Sequence, residues 1–371
     1  MIVVATSGHR PDDERIYHKE IKSLLNTGYN ILYCTRWDDD MDLSAEHLKH
    51  VNVSRSATPI KNYIRFIQNT LAEKSQIEIL HIHEFDLLPL AKQMKKNNGI
   101  KVIYDVHDTL RAMWETFSSK KGLLKKAINK SLSFFEVSHL MYVDEVILAN
   151  KVLDDNFYKQ KGLNTTVVEN FPLLDSLGEE KQFLTNPCIL YQGQVSIDRG
   201  ILVLLEAFRK LKETVPEARL KIIGQTRPLS FKDILKEKIN LSGFENSITF
   251  LDFIPHEQIW HHMREAHIGV IPSLKTPRVV LDTPTKLFEY MAAGCAVVAT
   301  DVPPVRHFLD GAGELVVPNR VQSLYKGILT ILQNEDIYND YINKSMVRVK
   351  QEYNWPEAEK KLLSVYKNLT R

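Results

Sequence analysis

The chain has 371 residues, too many for one ordinary hydrophobic core, and this length predicts two domains of roughly 150–200 residues each. The formal net charge of +2 is close to neutral and gives no argument for nucleic acid, so we expect no nucleic-acid partner. The three cysteines are widely separated, which indicates a reducing compartment and excludes a disulfide framework. Since no apolar run approaches the ~20 residues of a membrane span, we expect a cytoplasmic protein.

Short apolar runs alternate with longer amphipathic patterns along the first half of the chain. Strands are predicted at 2–6, 30–34, 51–53, 79–81, 101–105 and 145–148. Helices are predicted at 13–26, 61–72, 86–96 and within 110–141. This alternation is typical of parallel βαβ units.

The same alternation begins again in the second half. Strands are predicted at 187–192, 219–223, 247–251, 268–272 and 296–300, and helices at 201–213, 231–240, 256–266 and 284–293. We therefore predict a first domain over 1–174, a linker over 175–186 and a second domain over 187–353. A last, amphipathic helix is predicted within 354–371. The predicted fold class is α/β, with two Rossmann-like doubly wound domains that face each other across a cleft, and ligands beyond the carboxyl ends of the strands.

The stretch "TPTKLFEYMAAG" combines helix signals with polar residues that packing alone does not require. Thr283 is a suitable N-cap, Pro284 suits the first helical position, and Gly294 can end the helix. The free N–H groups and the positive end of the helix dipole would attract a phosphate, and Lys286 adds a full charge. Glu289 could then accept hydrogen bonds from a ribose. A surface helix with a Lys–Glu pair remains the alternative.

"PTKLFEYMAAGCAVVATDVPPVRHFL" resembles the donor-nucleotide motif of the family 4 retaining glycosyltransferases, which have the GT-B fold. The resemblance implies that Glu289 holds the ribose and that the helix start at Thr285 and Lys286 holds phosphate. It also implies that the last helix, within 354–371, crosses back to the first domain. Relatives usually carry another glutamate near the transferred sugar, where this chain has Leu281. Asp282, beside it, is the candidate substitute.

Two further segments of the second half carry the resemblance. "GQVSIDRG" is similar to a family motif whose two basic residues grip the diphosphate. Arg199 matches the second of them, Gln194 occupies the first without supplying its charge, and Gly193 would let the backbone approach the ligand. In "FLDFIPHEQIW", Ile254 is expected to offer backbone contacts to the base.

The first half contributes candidates for contacts with the sugars. "YDVHD" matches the family segment whose histidine contacts the donor sugar, which implies this role for His107; a structural cap is the alternative. "HRPDDERIYHKE" is similar to the loop and helix after the family's first strand. It makes His9, Arg15 and Lys19 acceptor-side candidates, the latter two for an anionic acceptor. A surface supported by Glu20 is the competing interpretation of the two cations.

Segment 118–135 is basic and amphipathic. Such a helix can bind an anionic membrane surface, here the inner face of the membrane, although packing on its own domain is equally compatible with the pattern. Its lysines alternate with apolar residues: Lys120, Lys121, Lys125, Lys126 and Lys130 with Leu123, Leu124, Ile128, Leu132 and Phe134.

The predicted function is a retaining glycosyltransferase that moves a hexosyl or N-acetylhexosaminyl group from a UDP- or GDP-sugar. The acceptor would be a glycan or lipid-linked saccharide, in cell-surface polysaccharide or glycoconjugate synthesis. We expect no metal and no further cofactor, since cations replace the metal in this fold. The alternatives are a nucleotide-sugar epimerase or hydrolase of the same fold and a non-catalytic sugar-nucleotide-binding module. The predicted catalytic residues are His107, Arg199, Lys286 and Asp282.

Overall fold

The structure is a computed structural model that describes residues 1–39, 41–72, 76–107, 110–118, 120–150, 157–174, 186–241 and 243–370. The chain divides into two compact units. The first comprises Met1–Asn170 together with Trp355–Arg371, and the second comprises Phe171–Asn354. The predicted linker at 175–186 lies outside the described residues except for its last position.

The first unit contains a parallel sheet of seven strands in the order β3-β2-β1-β4-β5-β6-β7. Its strands are β1 (Ile2–Ala5), β2 (Ile31–Arg36), β3 (Leu48–Val53), β4 (Ile79–Ile82), β5 (Lys101–Val106), β6 (Glu145–Leu148) and β7 (Asn164–Val167). Its α-helices are α1 (Lys22–Asn26), α2 (Ile60–Ala72), α3 (Leu88–Asn98), α4 (Leu110–Phe117) and α5 (Gly122–Leu140), and α13 (Trp355–Leu369) joins them from the end of the chain.

The second unit repeats this plan with six parallel strands in the order β10-β9-β8-β11-β12-β13. Its strands are β8 (Cys188–Gln192), β9 (Arg219–Ile223), β10 (Ile248–Leu251), β11 (Ile268–Ile271), β12 (Ala296–Thr300) and β13 (Glu314–Val316). Its helices are α6 (Ile201–Thr214), α7 (Phe231–Asn240), α8 (His256–Glu265), α9 (Thr285–Ala292), α10 (Pro303–Leu309), α11 (Val321–Leu332) and α12 (Glu335–Gln351).

The central strands are buried along their whole length and mostly apolar, because helices cover both faces of a parallel sheet. All residues of β1, β4, β8, β11 and β12 are buried. In each sheet the strand order reverses beside the first strand, between β1 and β4 in one unit and between β8 and β11 in the other. Ligands of doubly wound sheets bind beyond the carboxyl ends of strands at such a point. The loops after these four strands are therefore where a site is expected.

The structure differs from the predicted elements in several places. The pattern at 110–141 forms two helices, and Gly122, with a φ of 60°, starts the second. The helix predicted from residue 13 begins with a π-helical segment, Ile16–Ile21, that leads into α1. Strands β7 and β13 and helices α10 to α12 had no prediction. β7 and β13 are short edge strands of three or four residues with little apolar signal.

Helix α13 packs on the first unit through two aromatic side chains. Trp355 Nε1 donates to Ser23 Oγ over 3.0 Å. The hydroxyl of Tyr366 lies 2.6 Å from Nδ1 of His81, a residue of β4. The last helix thus contributes a buried polar contact near the carboxyl ends of β4 and β5, which His83 and His107 directly follow.

Candidate functional site

The first turn of α9 places a buried ammonium group at the centre of the second unit's site. Lys286 is only 8% exposed, and its Nζ atom lies 4.3 Å from the centroid of the Tyr191 ring. Burial, together with the neighbouring positive charge of Arg199, lowers the pKa of Lys286 to about 7. A lysine that is this deeply buried and next to another cation is in an unfavourable state that a bound anion would relieve.

Gly193 provides the space that Lys286 occupies. This residue directly follows β8 and has a φ of 110°, a conformation that favours glycine. A Cβ atom added there would meet Lys286 Nζ at 2.8 Å. The glycine therefore allows the Lys286 side chain to lie against the loop backbone.

Arg199 and Asp282 form an ion pair beside this helix start. The Arg199 Nη1 atom lies 3.7 Å from Asp282 Oδ2, and Arg278 Nη2 lies 4.0 Å from the same oxygen. Arg199, Asp282 and Pro284 line a narrow crevice with Ser273, the second residue beyond β11. The arginine is therefore next to the helix start but partly neutralised by a carboxylate.

The start of α9 differs from the expected cap. The residue before the helix is Pro284, with no side-chain capping bond, and the Thr283 hydroxyl has no hydrogen-bond partner among the described residues. Thr283 is therefore not the N-cap, and the helix begins at Thr285. Gly294, with a φ of 68°, follows the end of the helix in the left-handed conformation, as predicted.

Glu289 lies one turn further along α9 and is buried at 6% exposure. Gln192, the last residue of β8, donates a short side-chain hydrogen bond to Glu289 Oε2. The backbone N–H of Gln192 donates to the Tyr290 hydroxyl over 2.8 Å. The carboxylate is thus oriented by the strand that ends beside the site.

Gly193 also lines an open pocket of about 410 Å³. This volume falls within the range of small-molecule sites. Gln194, Ile254, Phe253 and Arg227 line it together with Gly193. The pocket offers apolar surface flanked by a few polar groups, which suits a planar heterocycle.

In the first unit, polar side chains gather after β1, β4 and β5. His9 Nδ1 lies 3.1 Å from Asp13 Oδ2, and the ring centroids of His9 and His107 are 4.8 Å apart. Asp105, at the end of β5, has its Oδ1 atom 3.5 Å from His107 Nε2. Burial lowers the pKa of His107 to about 3, because the attraction of Asp105 is smaller and His9 and Arg15 act in the same direction as burial.

Comparison with known proteins identifies the chemistry. Residues 177–347 match the family model described as glycosyl transferases group 1. The chain is 26% identical over 313 residues to the phosphatidyl-myo-inositol mannosyltransferase of Mycolicibacterium smegmatis. The aligned region covers 82% of this chain and 75% of that protein. The chain is a glycosyltransferase, and its residues 177–347 carry the similarity to group 1.

Solved structures support the fold of this glycosyltransferase over its whole length. Sucrose-phosphate synthase from Thermosynechococcus elongatus superposes with a TM-score of 0.82 at 16% identity, and the superposition covers 100% of this chain and 99% of the synthase. Anabaena HepE, in complex with UDP, has a TM-score of 0.77 at 15% identity and covers 99% of both chains. The predicted GT-B fold, the family 4 resemblance and the assignment as an enzyme are confirmed.

The structure gives no support to Arg15 and Lys19 of this glycosyltransferase as acceptor contacts. Both side chains are buried, at 3% and 2% exposure. Arg15 lies between two carboxylates, with Nε 2.8 Å from Glu20 Oε1 and Nη2 3.0 Å from Asp105 Oδ2. Lys19 Nζ lies 2.7 Å from Glu14 Oε1 and donates to Asn170 over 2.7 Å. Since internal carboxylates already neutralise both charges, we do not propose that they bind an anionic acceptor.

Four buried side chains around Arg15 have the geometry of metal ligands. Glu20, His81, His83 and Asp105 bring ligand atoms within 4.8 Å of one another. The Arg15 guanidinium contacts both carboxylates, so the positive charge that this cluster requires is already present. That the glycosyltransferase needs no metal remains a prediction.

Sequence reasoning missed the partners that orient the predicted residues. Gln192 binds Glu289, and Asp13 binds His9. Gln192 is the last residue of a buried strand, and that position was its signal, whereas Asp13 lies in the loop after β1. Glu84 accepts hydrogen bonds from Thr6, Ser7 and Gly8, at the end of β1 and in the loop after it.

Proposed function

We propose that the enzyme transfers a sugar, with retention of configuration, from a nucleoside diphosphate sugar to a glycan or lipid-linked saccharide. The observation that carries this proposal is the buried Lys286 ammonium at the start of α9, beside Arg199 and the backbone of Gly193. Two cations and a helix N-terminus converge at one place in the second unit. A diphosphate is the ligand that this combination of charges favours.

The leaving group receives most of the catalytic assistance in this proposal. The bond between the sugar carbon and the diphosphate oxygen breaks, and a bond from that carbon to the acceptor oxygen forms. The acceptor hydroxyl passes its proton to the departing phosphate, so no protein base is required. Lys286, Arg199 and the N–H groups at Thr285 stabilise the charge that develops on the phosphate. Asp282 keeps Arg199 in place.

The nucleoside would occupy the adjoining groups of the second unit. Glu289, oriented by Gln192, would accept hydrogen bonds from the ribose hydroxyls. The pocket at Gly193, Gln194 and Ile254 would hold the base. Anabaena HepE, similar in fold, was solved with UDP, and this supports a nucleotide donor here.

The acceptor proposal is supported by the first unit's surface. Helix α5 exposes Leu123 and Phe134, at 85% and 74%, and Met141 directly follows it at 76%. Lys121, Lys126 and Lys130 are also exposed, while Ile128 and Leu132 are half-buried. The only acidic residue of α5, Glu136, is buried. This face is complementary to an anionic membrane, at up to ~1 kcal/mol per cation.

A peripheral position would give access to a lipid-linked acceptor. The mycobacterial relative is named for a phosphatidyl-myo-inositol substrate, which supports an acceptor of this class in glycoconjugate synthesis. Within the part of the chain that the structure describes, no helix has the length and apolarity to span a bilayer.

The donor proposal is tested by measuring the binding of UDP, GDP and their common sugar derivatives by thermal shift, followed by calorimetry. A donor at 100 times its dissociation constant should stabilise the chain by ~2.7 kcal/mol. Transfer products analysed by NMR should retain the anomeric configuration of the donor. Absence of binding to every nucleotide, or inversion, contradicts the proposal.

The membrane proposal has a separate test, flotation with phosphatidylglycerol-containing and purely phosphatidylcholine vesicles. The wild-type chain should float only with the anionic vesicles, and F134S combined with L123S should abolish this. Leu241, 75% exposed in the second unit, provides the matched control L241S, which should float normally. Equal flotation with both kinds of vesicle, or none with either, contradicts the proposal.

A further inference from the structure

The loops after β8 and β9 continue to pair with each other beyond the ends of these strands. The backbone N–H of Val195 donates to the Gln225 carbonyl oxygen over 2.9 Å, and the backbone N–H of Arg227 donates to the Val195 carbonyl oxygen over 2.9 Å. Thr226, between the two, is buried at 1% exposure. The backbone at Arg227 is therefore fixed relative to the loop that contains Gly193.

Arg227 presents its guanidinium group to the open pocket of the second unit. Its side chain lines this pocket of about 410 Å³ together with Gln225. The amide of Gln225 holds one side of the guanidinium, because Nε and Nη2 of Arg227 donate to Gln225 Oε1 over 3.2 and 2.9 Å. This contact does not use the end of the fork, where one N–H of Nη1 and one N–H of Nη2 point in the same direction.

The rest of the pocket wall supplies a surface on which a flat ring can stack. Phe253, two residues beyond β10, is 65% exposed, and Ile254 and Ile259 line the same pocket. The backbone N–H of Phe253 donates to Asp252 Oδ1 over 3.0 Å, and Asp252 forms an ion pair with Lys232. An accessible aromatic ring is a stacking surface for any nucleobase. The choice among bases must therefore come from the polar groups of the pocket.

Two parallel N–H donors discriminate among the nucleobases. Guanine carries two adjacent acceptors, O6 and N7, which can accept both N–H groups of one arginine at once. Adenine has an acceptor at N7 but a donor amino group beside it, so this edge would place a donor against a donor. The two oxygens of uracil are separated by an N–H donor, so this ring offers the fork only one acceptor at a time.

We propose that Arg227 binds the O6 and N7 edge of guanine, and that the donor of this enzyme is a GDP-sugar. Arg227 is then the residue that determines base specificity. Gln225 is a positioning residue, because it contacts the arginine and sets the direction of its fork. The inference rests on the proposed function, since it names the base of the same donor in the pocket already assigned to the base.

The first experiment compares nucleoside diphosphates that differ only in the base, by calorimetry with the wild-type chain. GDP should bind about 10- to 100-fold more tightly than UDP and ADP, the discrimination that one bidentate arginine contact provides. Inosine diphosphate keeps O6 and N7 and should bind like GDP. The diphosphate of 7-deazaguanosine lacks the N7 acceptor and should bind about 10-fold more weakly. UDP or ADP binding as tightly as GDP, or no loss on removal of N7, overturns the proposal.

The second experiment tests the two residues through the ratio of GDP affinity to UDP affinity. R227M should weaken GDP binding about 10- to 100-fold and leave UDP binding unchanged. R227K keeps the charge without the fork and should lose most of the preference. Q225L should lose part of it, and Q225E, which keeps an acceptor oxygen, should retain it. R209M, at a half-exposed arginine of α6, is the matched control and should change neither affinity.

Failure of this inference and failure of the proposed function are distinguishable. If GDP binds without preference over UDP, or if a folded R227M loses affinity for both nucleotides equally, the guanine contact is overturned while nucleotide binding stands. If no diphosphate binds at all, the proposed function itself fails. Circular dichroism shows whether R227M is folded, and the comparison of bases with the wild-type chain decides the question if it is not.

Discussion

Lys286 and Gly193 are in direct contact in the second unit: a Cβ atom added to the glycine would lie 2.8 Å from the lysine Nζ and 3.3 Å from its Cε. The glycine belongs to the loop after β8 and the lysine to the first turn of α9. Their contact brings the loop backbone and the helix start together at the position that we assign to the diphosphate.

The variant G193A should weaken binding of the nucleotide while leaving the fold intact. The alanine methyl would displace the Lys286 ammonium, and the φ of 110° at this position would be strained. We expect about tenfold weaker binding of UDP-glucose, or of the donor that the nucleotide screen identifies, which corresponds to ~1.4 kcal/mol. G243A is a suitable control, because Gly243 also has a positive φ but nothing within 4 Å of its added Cβ. Equal losses of nucleotide affinity in G193A and G243A would show that backbone strain alone causes the effect.

Donor affinity should fall as the pH rises above about 7. In the free chain the pKa of Lys286 is lowered to about 7, and a bound diphosphate would raise it again by opposing the effects of burial and of Arg199. Binding is therefore coupled to proton uptake, and it weakens with increasing pH between the pKa of the free and the bound enzyme. Calorimetry of a sugar nucleotide in buffers of different ionisation enthalpy measures this uptake. The sugar nucleotide is preferred to UDP, whose terminal phosphate titrates near this range.

The variant K286M provides the control for this pH dependence. It should bind the donor more weakly at pH 6.5 and should show no proton uptake between pH 7 and 9. Proton uptake that persists in K286M would assign the titration to another group.

E289Q should weaken binding of the nucleoside part of the donor and leave binding of the phosphates unchanged. Replacing the carboxylate removes a charged acceptor for the ribose and also alters its hydrogen bond with Gln192. We expect about 10-fold weaker binding of UDP and unchanged binding of inorganic pyrophosphate. An equal loss for both ligands would show that the change disturbs the helix start instead of the ribose contact.

R15M should destabilise the first unit strongly. The substitution would leave Glu20 and Asp105 buried without their cation, and breaking a buried pair in this way costs about 3–5 kcal/mol. Urea unfolding followed by far-UV circular dichroism measures the loss, with R209M, at a half-exposed arginine of the second unit, as the control. A stability close to that of the wild-type chain would contradict the structural role that we assign to Arg15.

Local sequence pattern predicted the fold well where strands are apolar and central. The predicted bounds 145–148, 219–223 and 296–300 coincide with β6, β9 and β12, because short segments rich in Val, Ile and Leu are typical of strands in a parallel sheet. The elements of the second unit that follow β12 were missed. α10 is short and begins with two prolines, and α11 and α12 follow without a strand between them.

The site was predictable from the sequence only in part. The helix start at Lys286 follows from a local motif, and so does the glycine after β8. The environment of Arg15 does not, because Asp105 lies 90 residues away along the chain and only the sheet order brings the two together. The same holds for the contact between Glu84 and the loop at Ser7. Arg15, which the sequence pattern was compatible with placing on the surface, is therefore buried inside the first unit.

The central claim is that the start of α9 binds the donor diphosphate, and calorimetric titration of UDP and GDP into the wild-type chain, K286M and R199M tests it most directly. K120M, at an exposed lysine of the first unit, is the matched control. The account predicts that at least one diphosphate binds the wild-type and K120M chains equally, and that each of the other two variants binds it at least about 10-fold more weakly. Unchanged affinity in both K286M and R199M would contradict it.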